Sequence, residues 1–138
     1  MIFLRVLIID GQGGGLGRQL VSAVKEQCPN AEILAVGTNS MATSAMLRAG
    51  AAQAATGENA VVVCCRRADV ILGPIGIVIA DAMLGEITPA MAVAVGQSAA
   101  KRLLIPVNQC DNIIAGVPEQ PITKWIQSAV DALRTLMT

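Results

Sequence analysis

Residues 8–18 read IIDGQGGGLGR: an apolar run and an aspartate lead straight into five glycines among seven residues. Glycine in an ordered element costs roughly 0.5–1 kcal/mol relative to alanine, so five together require a close approach to this backbone. What approaches is either a ligand or another part of the protein. A strand that enters a glycine turn and continues as a helix gathers free backbone N–H groups at the positive end of the helix dipole, which is a natural anion site.

The spacing narrows the choice. G-x-G-x-x-G would need glycine at position 16, where Leu16 stands; Gly11, Gly15 and Gly17 fit G-x-x-x-G-x-G, the spacing of short-chain dehydrogenases. A Walker A loop is excluded, because Arg18 and Gln19 follow Gly17 instead of Lys and Ser/Thr. Gly11, Gln12, Gly13, Gly14, Gly15, Leu16 and Gly17 are therefore the expected cradle, with Arg18 in the first helical turn placed to pair with a phosphate. A dinucleotide site often carries an acid at the end of the second strand for the ribose 2′-hydroxyl. Here Gly37-Thr38-Asn39-Ser40 stands instead, so Thr38 and Asn39 are the candidate ribose or phosphate partners and the strong marker for NAD is missing. Dehydrogenase chemistry of the short-chain type needs a Tyr–Lys pair, and the chain has no Tyr.

Outward from the turn, short apolar runs alternate with helix-like segments. FLRVLIID (3–10) reads as a strand apolar on both faces, and 18–28 as an amphipathic helix with Leu20, Val21, Val24 and Cys28 on one stripe, stopped by Pro29. AEILAVG (31–37) is a second strand, 40–49 a helix with Gly50 past its end, and 51–56 a weak third strand. Residues 59–67 read as a helix capped by Asn59, and 68–74 as the fourth strand. Thr88-Pro89 marks a helix start that runs to about Ala99. RLLIPVN (102–108) is a fifth strand, NIIAGV (112–117) a short sixth at the edge, and 121–136 a closing helix with Trp125, Ile126, Val130 and Leu133 inward. This is a doubly wound α/β pattern: a mainly parallel sheet of five or six strands in three layers, Rossmann-like, in one domain spanning 1–138.

Composition bounds the function. The chain of 138 residues is 54% apolar, 1% aromatic and 14% charged, against a usual charged share of about 25%. Ten basic and ten acidic residues cancel, which argues against nucleic acid as a partner. So sparse a charge favours a homo-oligomer, in which part of the surface does not face water. With no His and no Tyr, acid–base work falls to carboxylates, lysines and thiols, which lowers the expectation of an enzyme. The cysteines (Cys28, Cys64, Cys65, Cys110) form no C-x-x-C pair, so no metal site is expected and all but Cys110 read as packing. No membrane span is expected, since the run from Val70 to Leu84 is broken by Gly73, Pro74, Gly76 and Asp81. The start MIFLRVLIID enters a strand directly, and the expected compartment is the cytoplasm.

Beyond the glycine turn and GTNS, the stretches TGENA (56–60), 73–89 and PVNQCDN (106–112) place small and polar residues after each remaining strand, at the carboxyl edge where such sheets bind ligands. Asn108 joins the binding candidates on this ground. Asp81, in the apolar VIADAML, should have a partner. Glu58 reads as a first-turn residue favoured by a helix dipole, Glu86 as part of the helix start at Thr88, and Cys110 as the thiol to suspect if any is reactive. Glu58, Asp81 and Cys110 are the catalytic candidates should the chain be an enzyme acting on a phosphorylated metabolite.

IDGQGGGLG, GTNSMATSAMLRAGA, ATGENA, ADVILGPIGIVIADAMLGEITPAMAVAVGQS and LIPVN together resemble a family of short, uncharacterised bacterial proteins, mostly of anaerobic Firmicutes, defined as a domain of unknown function. The resemblance spans nearly the whole chain and implies a Rossmann-like fold in a cytoplasmic bacterial setting. It implies no activity or catalytic residue. Function therefore rests on the residues: binding of a nucleotide, a dinucleotide such as NAD(P), or another phosphate-bearing small molecule at the glycine turn, in a regulatory or carrier role. The other readings are the small enzyme and an oligomeric assembly protein whose glycines serve packing alone.

Overall fold

A computed structural model describes residues 3–107 and 112–138. Among these residues five parallel strands form one sheet: β1 (Leu4–Asp10), β2 (Ala31–Gly37), β3 (Gln53–Thr56), β4 (Val70–Pro74) and β5 (Lys101–Ile105), in the order β3-β2-β1-β4-β5. The helices are α1 (Gly15–Gln27), α2 (Ser40–Ala49), α3 (Glu58–Cys65), α4 (Pro89–Gln97) and α5 (Ile122–Leu136), with a short 3-10 turn at Ile75–Val78. The alternation of strand and helix and the three layers are as the sequence predicts.

The layers follow from the pleat. Consecutive residues of β1 point to opposite faces. Val6 and Ile8 meet Leu20, Val21 and Val24 of α1, Met46 of α2 and Val130 and Leu133 of α5. Leu7 and Ile9 meet Val61 of α3 and Met91 and Val95 of α4 on the other side. With both faces covered, β1 has no polar alternation to show, which is why it reads as a continuous apolar run.

Several expectations are corrected. No strand forms over 112–117: the Val117 amide turns back to the Ile114 carbonyl at 3.2 Å, Gly116 has a φ of 78°, and Pro118 has no N–H to offer a ladder. Helix α3 starts at Glu58 with Gly57, φ 100°, as its cap, so Asn59 is not the cap. Helix α1 starts three residues earlier than the expected Arg18, at Gly15, because its N-terminus is held by a carboxylate described below. Strand β3 is shorter than 51–56, and α4 stops at Gln97, not Ala99. Thr88 caps α4 as expected, accepting from the Met91 amide at 3.2 Å with Pro89 at the first helical position. Among the described residues no helix is long and apolar enough to cross a membrane.

The order β3-β2-β1-β4-β5 puts a topological switch point between β1 and β4. There the chain, having built outward through β2 and β3, crosses back to build the other half. Connections leave the two strands in opposite directions and open a crevice at their carboxyl ends.

Candidate functional site

The glycine turn sits at that switch point, and its five glycines divide into two groups. Three are packed. A Cβ on Gly11 would lie 2.6 Å from Thr38 Oγ1 and 2.7 Å from Met83 Sδ. On Gly14, whose φ is 75°, it would lie 2.8 Å from the Ala42 backbone, and on Gly17 2.8 Å from Asp10 Cβ. Gly13 and Gly15 differ: a Cβ on either would meet nothing within 4 Å, and neither has a positive φ. Both line a cavity of about 150 Å³, which Gly11, Gly14, Asp10, Leu16, Pro74 and Met83 also border.

The turn's amides divide in the same way. The Gly14 amide donates to the Gly11 carbonyl at 2.9 Å, the Gln12 amide to Glu86 Oε1 at 2.9 Å, and the Gly17 amide to Asp10 Oδ2 at 2.6 Å. The amides of Gly13, Gly15 and Leu16 have no acceptor among the described residues. The first turn of α1 thus presents open donors to the cavity, and its dipole favours negative charge there.

Two acids organise the site, and neither was among the sequence candidates. Asp10, 5% exposed, ends β1 and caps α1 through Gly17. Burial pushes its carboxyl above the ordinary 3.8, against the lowering pull of the Gly17 and Gly11 amides, and the Glu86 charge adds to the rise. Glu86 reaches across from the segment after β4. Its Oε1 accepts from the Thr38 hydroxyl at 2.5 Å and the Asn39 side-chain amide at 2.8 Å as well as from Gln12. Those bonds, Thr38 first, hold Glu86 below the ordinary carboxylate range. The only forewarning of Asp10 is its place at the last strand position before the turn. Glu86 gives none, since it lies 74 residues from Gln12.

The signs set a pH dependence. Asp10's folded-state value is raised, so its contribution to stability is complete below 3.8 and is lost as pH rises through the raised value. Glu86 does the reverse: its contribution is present above 4.5 and is lost as pH falls through its lowered value. Asp10→Asn keeps an oxygen for the Gly17 amide but cannot ionise. Urea unfolding across this range should show the variant gaining stability relative to wild type as pH climbs past 3.8. A relative loss over the same climb would mean that the amides outweigh burial at Asp10.

The remaining candidates are scattered. Arg18 is exposed and borders a groove with Ser22 of α1 and Thr123 and Ile126 of α5, away from the cavity. Glu58 is exposed at the start of α3 and accepts from the Thr88 hydroxyl at 2.5 Å, linking the N-termini of α3 and α4. Asp81 is exposed at a φ of 66°, so the expectation of a carboxylate in apolar surroundings is corrected: the local chain turns it outward. Burial pushes the Cys65 thiol up to about 11 and raises Cys28 and Cys64, in keeping with packing roles. Asn108 and Cys110 lie outside the described residues.

The profile of the family described as Domain of unknown function (DUF3842) matches residues 5–138. The chain belongs to this family. No curated protein matches the sequence. Among solved structures, the dodecameric FMN-dependent UbiX-like decarboxylase from Escherichia coli O157:H7 is 14% identical, with a TM-score of 0.48 over 94% of this chain and 93% of that chain. In this member of the DUF3842 family, then, the site consists of a half-open glycine turn, a buried carboxyl beneath it and a second carboxylate laid across it.

Proposed function

We propose that this chain binds a nucleotide or another phosphate-bearing small molecule at the glycine turn, as a carrier or regulatory protein. The observation that carries this reading is the pair Gly13 and Gly15. Neither packing nor backbone conformation requires glycine at these positions, yet both face a cavity beside open amides. A phosphate seated on the Gly13, Gly15 and Leu16 amides accounts for that choice, because only glycine lets a ligand approach the backbone so closely. The position of the cavity at the switch point supports it too. Arg18, being outside the cavity, has no part in this reading. The chain acts as one domain, and its sparse charge, with Phe3 and Met41 exposed, supports a homo-oligomer.

A second reading is favoured by Gly11, Gly14 and Gly17, whose absent side chains admit neighbouring parts of the chain: the turn serves packing and assembly. A thermal-shift screen of nucleotides, flavin mononucleotide and sugar phosphates separates the two. A ligand at about a hundred times its Kd stabilises by about 2.7 kcal/mol, a shift of several degrees. The expected result is a shift lost in Gly15→Val and kept in Arg18→Ala, with the unliganded Gly15→Val protein melting close to wild type. A flat screen, with Gly15→Val altering the size seen by light scattering, would replace the binding reading with assembly.

A further inference from the structure

The crevice at the switch point has two halves. In a doubly wound sheet a dinucleotide lies across both, its phosphates over the glycine turn and one ribose against an acid at the end of the second strand. Here the β2 half is filled from within. A single oxygen, Glu86 Oε1, accepts from the Gln12 amide at 2.9 Å, the Thr38 hydroxyl at 2.5 Å and the Asn39 side-chain amide at 2.8 Å. These are the polar groups that the turn and the end of β2 would offer a nucleoside. Asn39 also donates to the Gln12 carbonyl at 2.9 Å, which ties the end of β2 to the turn. Gly11 lies beneath. A Cβ there would stand 2.7 Å from Met83 Sδ and 3.1 Å from Glu86 Oε1, so its missing side chain makes room for both.

The covering segment is firmly built. The Asp81 amide donates to the Ile87 carbonyl at 2.7 Å, the Ile87 amide to the Ala82 carbonyl at 3.1 Å and the Glu86 amide to the Met83 carbonyl at 3.1 Å. Ala82 and Ile87 are buried. Asp81, Met83 and Leu84 hold φ values of 66°, 58° and 56°, a conformation that side chains other than glycine keep only where the surroundings over-determine it. What stays open is a cavity of about 150 Å³ that runs from Gly13, Gly15 and Pro74 up to Gly11 and Met83 at the edge of the filled half. Sites that enclose drug-sized ligands run to about 300–1,000 Å³.

Building on the phosphate reading above, we infer that Glu86 is a specificity-determining residue. Its carboxylate stands in for the nucleoside half of a dinucleotide, so the site takes a phosphate monoester end-on and rejects dinucleotides. The charge of Glu86 acts in the same sense, repelling a second phosphate placed over Gly11.

The test titrates ribose 5-phosphate and NAD into wild type, Glu86→Ala and Thr38→Val, following the amides of Gly13, Gly15 and Leu16 by NMR. Wild type should respond to ribose 5-phosphate and not to NAD. Glu86→Ala should gain affinity for NAD by about tenfold or more. Thr38→Val should not, because Gln12 and Asn39 still hold the Glu86 carboxylate in place and a nucleoside partner is lost. Ribose 5-phosphate should change by less than about twofold in both. Wild type binding NAD as tightly as ribose 5-phosphate would overturn the role of Glu86 and leave the phosphate site standing; this comparison needs no variant. Silence of the three amides toward both probes in every protein would overturn the phosphate reading and, with it, the inference.

Discussion

Gly17→Ala is expected to lose roughly 2–4 kcal/mol of folding stability, read from urea unfolding. The new methyl group would stand 2.7 Å from Met46 Sδ, 2.8 Å from Asp10 Cβ and 3.0 Å from Asp10 Oδ2. The end of Met46 can swing away, since methionine is the most adaptable of core residues. Asp10 cannot, because its Cβ is fixed to the last residue of a central strand and its carboxyl is 5% exposed. Pushing it aside breaks the 2.6 Å bond from the Gly17 amide and leaves a buried carboxyl short of a donor. Alanine's better helix propensity returns only about 1 kcal/mol. Gly15→Ala is the control: it lies in the same helical turn with nothing within 4 Å, and should be neutral or slightly stabilising. Equal losses at both positions would mean that the turn tolerates no side chain anywhere, and that open and packed glycines are not distinct.

The sheet was legible because burial on both faces leaves a simple trace. Leu7, Ile8 and Ile9 are all fully buried, and such a run, repeated at intervals with helical stripes between, has few solutions other than a parallel sheet with helices on both sides. The cap at Thr88 was legible because threonine followed by proline satisfies two local demands at once. The misplaced elements are those where tertiary partners decide. Isoleucines at 113 and 114 have strand propensity, but no strand among the described residues takes them up. Gly15 and Gly17 are poor helix formers, and α1 nevertheless includes them because Asp10 holds its first turn.

The site was half legible. The turn announced itself through glycine, and Thr38 and Asn39 were picked out by their place after β2. What they bind was hidden: a carboxylate 48 residues from Thr38 and 47 from Asn39. The end of β2 carries no acid of its own, and the carboxylate that Thr38 and Asn39 meet there is supplied by another connection. Sequence spacing reports on residues that share an element. It cannot report on a side chain that crosses from one connection to the next.

Ile87→Ala should cost about 2–5 kcal/mol by unfolding, the range for deleting a fully buried isoleucine side chain. Ile87 packs with Met91 and Ala92 of α4 in the layer below β1 and β4, and its backbone closes the turn that begins at Asp81. The three left-handed residues Asp81, Met83 and Leu84 are each strained by about 1–3 kcal/mol, so the segment keeps its shape only while its anchors outweigh them. Leu84 at the tip is 99% exposed and contributes no burial. With Ile87 truncated, the remaining hold is Ala82, Met83 and the three bonds to Glu86. Local opening then competes with global unfolding, and the Gln12 amide, whose acceptor is Glu86, should exchange with solvent faster in the variant than in wild type. A large stability loss with Gln12 still protected would place the covering segment in the same cooperative unit as the sheet. Wild-type stability in Ile87→Ala would show that the segment is held by Glu86 alone, and the anchor would have to be sought at the carboxylate end.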